Sequence, residues 1–201
     1  MGAMLCGNEP LGRQAFTWLR RFGGNIFTQL PIMLSARACL AARKGTFSDR
    51  FAKMKRVVAS ITSAVQASVA AGEAAPVWFV PEVPQSCLVH TYFGSASAEL
   101  VLEAAAQVVE THGIRVVTRC RPARYTPPAV AAAAGADADD LPPAGILQPY
   151  SYTEWNMGVE NMRIADAVFV KGWVAFAQAL HAIVKREQAA GAEATAAAAS
   201  T

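Results

Sequence analysis

The chain has few of the groups that catalysis usually requires. Its 201 residues include three histidines and four cysteines. The cysteines form no CxxC pair, and no histidine lies near them at a metal-ligand spacing. They are Cys6, Cys39, Cys87 and Cys120. We interpret them as reduced, mostly buried thiols in a reducing compartment, and we expect no metal site and no thiol oxidoreductase activity.

Motifs that bind nucleotides or activate a nucleophile are also absent. The stretch "YFGSASAE" has one glycine where a dinucleotide fingerprint has three, and no GxxxxGK occurs. No serine, histidine and aspartate fall in a nucleophile-elbow context. Strand alternation places His90 on the same face as Tyr92, and we interpret it as a half-buried strand histidine rather than a catalytic one. We therefore expect no enzymatic activity, no cofactor and no small-molecule substrate.

Charged residues make up only 16% of the chain, and their signs are unevenly distributed. The first 65 residues carry a net charge of +8 and the remainder −5. This pattern predicts contact with a polyanion such as RNA or anionic lipid head groups, the alternatives being a solvated helix face or an import signal. Through residue 48 the sequence bears arginines and has Glu9 as its one acidic residue, which is typical of a mitochondrial presequence.

Helical periodicity is clearest from Thr46 to Ala71, where apolar residues recur at steps of three and four. Four cations lie in the first turns of this predicted helix, where the helix dipole disfavours positive charge. They are Arg50, Lys53, Lys55 and Arg56. An external anion such as an RNA phosphate would neutralise them, and the alternative is a simple solvated face.

The residue pattern in the middle of the chain predicts a β-α-β unit. Leu88–Phe93 and Ile114–Cys120 are its strands, after a shorter β-prone run at Val77–Val80. Ser97 is a suitable N-cap for the helix between them, and Gly113 is suited to its left-handed end. A strand, a helix and a second strand predict a parallel crossover with the helix packed on the sheet.

Four arginines follow this helix. Alternation places Arg115, Arg119 and Arg121 on one side of the second predicted strand, and Arg124 follows beside Tyr125. Guanidinium groups beside an aromatic ring suit RNA backbone contact or the carboxylates of a protein partner, and a solvated face is again the alternative.

After the β-α-β unit, a stretch rich in proline and alanine predicts a linker. An apolar helix then runs from Met157 to about Glu187. Because Arg163, Asp166 and Lys171 interrupt it, we expect it to pack on a core or a partner rather than to cross a membrane.

Residues 77–135 resemble the thioredoxin-like domain that certain mitochondrial ribosomal proteins share with a small accessory subunit of respiratory complex I. The matching segments are "WFVP", "CLVHTYFG", "AELVLEAAAQVVETHG", "IRVVTRC" and "RPARYTPPAVAAA". Arg121, Pro122, Arg124 and Pro127 resemble the arginine-proline segment of that family. Where the family has a Tyr-x-Asn-Gly turn, this chain has "AGADADDLPPAG".

The resemblance implies an α/β fold with a small thioredoxin-like β-α-β core between an N-terminal helical arm and a C-terminal helix. The predicted division is a basic helical arm (1–72), the core (73–135), a linker (136–156), a docking helix (157–188) and a low-complexity tail (189–201).

The function expected from these patterns is that of a non-catalytic structural subunit of the mitochondrial ribosome, in the matrix or on the matrix face of the inner membrane. The basic arm would contact ribosomal RNA or neighbouring proteins. The alternative is an accessory subunit of an inner-membrane respiratory complex, such as complex I or ATP synthase, with membrane contact through the C-terminal helix.

Overall fold

A computed structural model of the chain describes residues 7–22, 24, 29–69, 76–94, 96–133, 135 and 150–199. The chain divides into two compact units, the first ending at Phe47 and the second beginning at Ser48. The cation-bearing helix that the sequence assigns to the basic arm therefore belongs almost entirely to the second unit.

The first unit contains two helices, α1 (Glu9–Arg21) and α2 (Gln29–Arg43), and a 3-10 turn at Lys44–Thr46. The Asn8 carboxamide oxygen accepts a hydrogen bond from the Leu11 N–H at 3.1 Å, which caps α1. None of the residues of α1 is buried.

The second unit contains the sheet. Its helices are α3 (Phe47–Ser68), α4 (Ala98–His112), α5 (Pro128–Ala133) and α6 (Asp166–Ala199), with a 3-10 turn at Glu160–Arg163. Its strands are β1 (Val77–Val80), β2 (Leu88–Phe93), β3 (Arg121–Pro122) and β4 (Ser151–Asn156). The strands form one sheet in the order β1-β2-β4-β3, and each neighbouring pair is antiparallel. The chain is thus α/β in the broad sense that the sequence predicts.

The predicted parallel pairing of two strands around α4 is wrong. β4 pairs with β2 along its whole length, from Leu88 opposite Asn156 to Phe93 opposite Ser151. It therefore occupies the position beside β2 that the second predicted strand was expected to take. Of that region only Arg121–Pro122 joins the sheet, on the far side of β4, and Ile114–Cys120 has no strand assignment. β2 and β3 still run in the same direction, because both are antiparallel to β4.

The ends of the chain also differ from the prediction. β4 lies in the predicted linker, of which residues 136–149 fall outside the described part of the chain. The docking helix begins at Asp166 rather than near Met157, and it continues through most of the predicted tail to Ala199.

The two ends of α4 form as predicted. The Ser97 hydroxyl accepts a hydrogen bond from the Leu100 N–H at 3.4 Å. Gly113 has a φ of 65° and its N–H bonds the Val109 carbonyl, so a residue without a Cβ ends the helix in the left-handed conformation.

The core lies between one face of the sheet and the helices α3, α4 and α6. Trp173 of α6 is 2% exposed and its ring contacts Phe79 of β1 edge-on, with 5.4 Å between ring centroids. Phe176, one helical turn further, contacts Phe93 of β2 in the same way at 5.4 Å. These contacts fix the orientation of α6 against one face of the sheet. On the opposite face a second cluster of buried side chains joins Tyr92, Ala123, Tyr150 and Val130 of α5.

Candidate functional site

The four cations predicted to face an external anion on α3 are largely engaged inside the protein. Lys53 is 6% exposed, and its ammonium donates hydrogen bonds to the carbonyls of Met162 and Ile164. Arg50 is also buried. Lys55 is exposed, with its ammonium 4.5 Å from the centroid of the Phe51 ring.

The anion that the first turns of α3 require is supplied by the chain itself. The Asp166 carboxylate, at the start of α6, lies 2.6 Å from the Arg56 guanidinium and 3.6 Å from the Lys53 ammonium. The hydrogen bond from Arg56 holds the pKa of Asp166 below its ordinary value, and the two cations add to this effect. We interpret this cluster as a structural connection between α3 and α6. Of the predicted set, Lys55 and Arg56 have exposed side chains.

The arginines that follow α4 do not form a row. Arg115 and Arg119 are exposed in the segment that stays out of the sheet, and Arg124 is exposed beyond β3. Only Arg121 lies on a strand, where it is opposite Tyr152 in register. The structure thus separates the predicted arginine face and places Arg121 in a different group of residues.

That group lies on the sheet face turned away from α3, α4 and α6, and we call it the open sheet face. It is made of His90 and Tyr92 from β2, Arg121 from β3, and Tyr152 and Glu154 from β4. The strand alternation brings these side chains to one side, while Val89, Thr91 and Phe93 point into the core.

Tyr152 is at the centre of the open sheet face. Its ring stacks on Tyr92 with 5.7 Å between centroids and meets the His90 ring at 5.6 Å. The Arg121 guanidinium lies over the same ring at 5.8 Å from its centroid and 3.8 Å from the Glu154 carboxylate. Burial, reinforced by the neighbouring tyrosines, raises the pKa of Tyr92, which keeps its hydroxyl protonated as a donor to the Tyr125 carbonyl.

This arrangement combines a flat aromatic surface with one cation and one carboxylate. The Arg121 side chain is about half exposed, 48%, and its distance from Glu154 exceeds that of a hydrogen bond. Its N–H groups can therefore bind a ligand carboxylate beside the aromatic group formed by Tyr152, Tyr92 and His90. The chemistry suits a planar or aromatic ligand that bears a carboxylate.

Sequence reasoning named Arg121 and placed His90 and Tyr92 on one face, but it missed Tyr152 and Glu154. Both lie in "SYTEWN", within the predicted linker (136–156). The alternation of tyrosine, threonine and tryptophan in that stretch is the signal that indicates a strand.

Three of the four cysteines lie in the described part of the chain, and they form no disulfide there. Cys39 is exposed, in contrast to the prediction, and Cys87 and Cys120 are half-buried. Burial raises the pKa of the Cys120 thiol to about 11, so it is protonated at neutral pH. Cys6 lies outside the described residues. Within the described ranges, no group of three or more histidine, cysteine, aspartate or glutamate side chains is placed to hold a metal.

One helix in the described part of the chain, over Asp166–Thr195, is long and apolar enough to span a membrane by length and composition. Its residues Trp173, Phe176 and Leu180 are buried in the core. A core helix meets the same two criteria, so this match by itself is weak evidence for a membrane span.

No family model and no curated protein matches the chain. Among solved structures, it is similar to a protein from Exiguobacterium sp. 255-15 that is provisionally described as an aromatic amino acid beta-eliminating lyase/threonine aldolase. The two are 21% identical with a TM-score of 0.55, and the match covers 87% of this chain and 39% of that protein. At this identity the similarity describes the fold, and the chain spans about two fifths of the length of the structure it matches.

This comparison corrects two expectations. The resemblance to the thioredoxin-like domain of mitochondrial ribosomal proteins is wrong, because the fold matches a lyase/aldolase-type structure and no family model supports the ribosomal assignment. The expectation of a chain without an enzymatic role is overturned as well, because the structure that shares its fold is described as an enzyme.

Proposed function

We propose that this chain forms a domain of an amino-acid lyase or aldolase, and that its open sheet face borders the substrate site. The observation that carries the proposal is the extent of the fold match, which takes in 87% of this chain and only part of the Exiguobacterium protein. A chain that corresponds to a portion of an enzyme would act together with the remainder of that fold, on the same polypeptide or on another.

The chemistry of the open sheet face supports this proposal. Substrates of β-elimination and of aldol cleavage of amino acids share a carboxylate, which the half-exposed guanidinium of Arg121 is suited to hold. An aromatic substrate adds a ring, for which Tyr152 and His90 offer a stacking surface. The expected roles are therefore carboxylate binding by Arg121 and side-chain recognition by Tyr152.

Activity in the native assembly tests the proposal. The chain would be affinity-purified from its source together with whatever it is bound to. Release of acetaldehyde from L-threonine and of a keto acid from L-tyrosine would then be measured. We expect at least one of the two activities to co-purify with the chain through a sizing column. Material that catalyses neither reaction would contradict the proposal.

We propose, as a second candidate, that the chain is a subunit of a larger mitochondrial assembly that contains ribosomal RNA or membrane proteins. The observation that favours it is the exposure of Arg13, Arg20 and Arg21 on α1, within the segment whose composition is typical of a mitochondrial presequence. Gradient sedimentation of organelle extracts tests it: the chain should migrate with a ribosomal subunit or, after detergent extraction, with a respiratory complex. Migration as a small free species would contradict it.

A further inference from the structure

The helix α1 is divided into an apolar and a polar side. At about 100° per residue, its apolar residues fall within one half of the helix circumference. They are Leu11, Ala15, Phe16, Trp18 and Leu19. The polar half carries Glu9, Arg13, Arg20 and Arg21. The large members of the apolar side are exposed, with 57% for Phe16 and 52% for Trp18, so this face has the composition of an interface without a described partner.

We propose that the apolar face of α1 binds the same face of a second copy of this chain, with the two helices antiparallel. The smallest residue of the face, Ala15, lies near its middle and is half-buried. If the two helices cross at Ala15, Leu11 of one copy lies against Leu19 of the other, because the two leucines are equally far from the crossing point. A small residue at the crossing permits close approach of the helix axes.

The charges of α1 select this partner and this orientation. Glu9 and Arg20 are separated by about three full turns, so they lie on the same flank of the apolar face at opposite ends of the helix. In the antiparallel pair, Glu9 of each copy faces Arg20 of the other. A parallel twofold pair would instead place these charges on opposite sides of the interface and at different heights, where Glu9 and Arg20 could not meet. The interface is therefore complementary to itself, as a twofold symmetric contact must be.

Pairing also accounts for the existence of α1 as a helix. It has 13 residues and buries none of them, and an isolated helix of that length is marginal in water. Its internal ion pair, between Arg13 and Glu9, is exposed and contributes little. Burial of the apolar face against a second copy adds stabilisation to α1. This inference does not depend on the proposed enzymatic function.

Sedimentation equilibrium of the full chain, under reducing conditions, tests the pairing. We expect a monomer–dimer equilibrium in the wild type. Leu19→Glu should weaken the dimer by about 100-fold or more, since it places a carboxylate against Leu11 of the other copy at both ends of the interface. Val83→Glu is the matched control, because Val83 is 68% exposed and lies outside α1; it should leave the dimer unchanged.

A charge exchange identifies the orientation. Glu9→Arg and Arg20→Glu should each weaken the dimer by roughly tenfold, because each creates two repulsive contacts. The double variant should recover an affinity within about threefold of the wild type. Recovery cannot come from the helix itself, because both substitutions oppose its dipole and the double variant has the least stable isolated helix.

Three outcomes would overturn the proposal. They are a wild-type chain that stays monomeric at all concentrations, a dimer that Leu19→Glu does not affect, and a double variant weaker than either single one. A monomer that floats with phosphatidylcholine–phosphatidylglycerol vesicles would also overturn it, since it would assign the apolar face to an anionic membrane surface.

Discussion

Thr91 lies in the middle of β2 and is completely buried, and within the described residues its hydroxyl has no hydrogen-bond partner. A buried unpaired hydroxyl loses its hydration without compensation. Thr91→Val should therefore raise the free energy of unfolding by about 1 kcal/mol, measured by urea titration.

Thr153 is the matched control for this prediction, because its hydroxyl donates a hydrogen bond to the Arg119 carbonyl at 2.8 Å. Thr153→Val should lower the free energy of unfolding by about 1 kcal/mol. Equal effects of the two substitutions would mean that the Thr91 hydroxyl is satisfied in solution.

Asp166 joins two cations on α3, and its removal leaves the buried Lys53 without a carboxylate. Asp166→Asn should reduce the free energy of unfolding by about 1 to 2 kcal/mol at neutral pH, as expected for hydrogen bonds to charged groups. The folded-state pKa of Asp166 is lowered, so its contribution is present above its unfolded pKa and is lost as pH falls through the folded value.

The difference in stability between wild type and Asp166→Asn should therefore be constant from neutral pH to about pH 4 and should shrink below it. Denaturant titrations at several pH values measure this. A difference that stays constant down to about pH 2 would show that the carboxylate does not interact with Lys53 and Arg56 as described.

At the scale of elements, the packing of α6 against the segment after α4 depends on Gly172. A Cβ at this position would lie 2.7 Å from the Ile114 Cγ2 and 3.1 Å from the Val116 Cγ2. Gly172→Ala should therefore destabilise the protein by about 1 to 3 kcal/mol, despite the better helix propensity of alanine.

Gly191 provides the control in the same helix, because nothing lies within 4 Å of the position of its Cβ. Gly191→Ala should be neutral or stabilising by up to about 1 kcal/mol. Thermal unfolding of both variants measures the contrast, and a Gly172→Ala protein as stable as Gly191→Ala would contradict the close contact with Ile114.

The elements that the sequence predicts well are those whose signals are local. Ser97 and Gly113 mark the ends of α4, because capping depends on a few neighbouring residues. The prediction of a strand at Ile114–Cys120 is wrong. Strand pairing depends on distant segments, and here β4 takes the position beside β2. The β-propensity of that stretch could not show which strand would be its neighbour.

At the scale of the whole molecule, the candidate site follows from the register of β2, β3 and β4. The sequence indicates Arg121 as one of four arginines near an aromatic residue, Tyr125. The structure pairs it with Tyr152, which is 31 positions away and enters through a strand that was assigned to a linker. Long-range pairing of this kind is the part of the site that sequence patterns do not specify.

The cations of α3 also have partners that are distant in the sequence. Their positions against the helix dipole predict a neutralising anion. Asp166, at the start of α6, supplies an anion from within the chain, in contact with Arg56 and Lys53. A surplus of charge in one segment can be balanced by a segment far along the chain, so net charge by segment overestimates the surface available to a polyanion.

Measurement of kcat/KM for L-tyrosine and for L-threonine tests most directly the central claim, which is that the open sheet face binds an amino-acid substrate. In the native assembly, Arg121→Gln should lower kcat/KM by about 100-fold for whichever substrates are turned over, because each has a carboxylate. Tyr152→Leu should lower the value for L-tyrosine by about tenfold and leave L-threonine nearly unchanged. Arg163→Gln, at an exposed pair with Glu160, is the control and should have no effect. Wild-type values for both Arg121→Gln and Tyr152→Leu would contradict the claim.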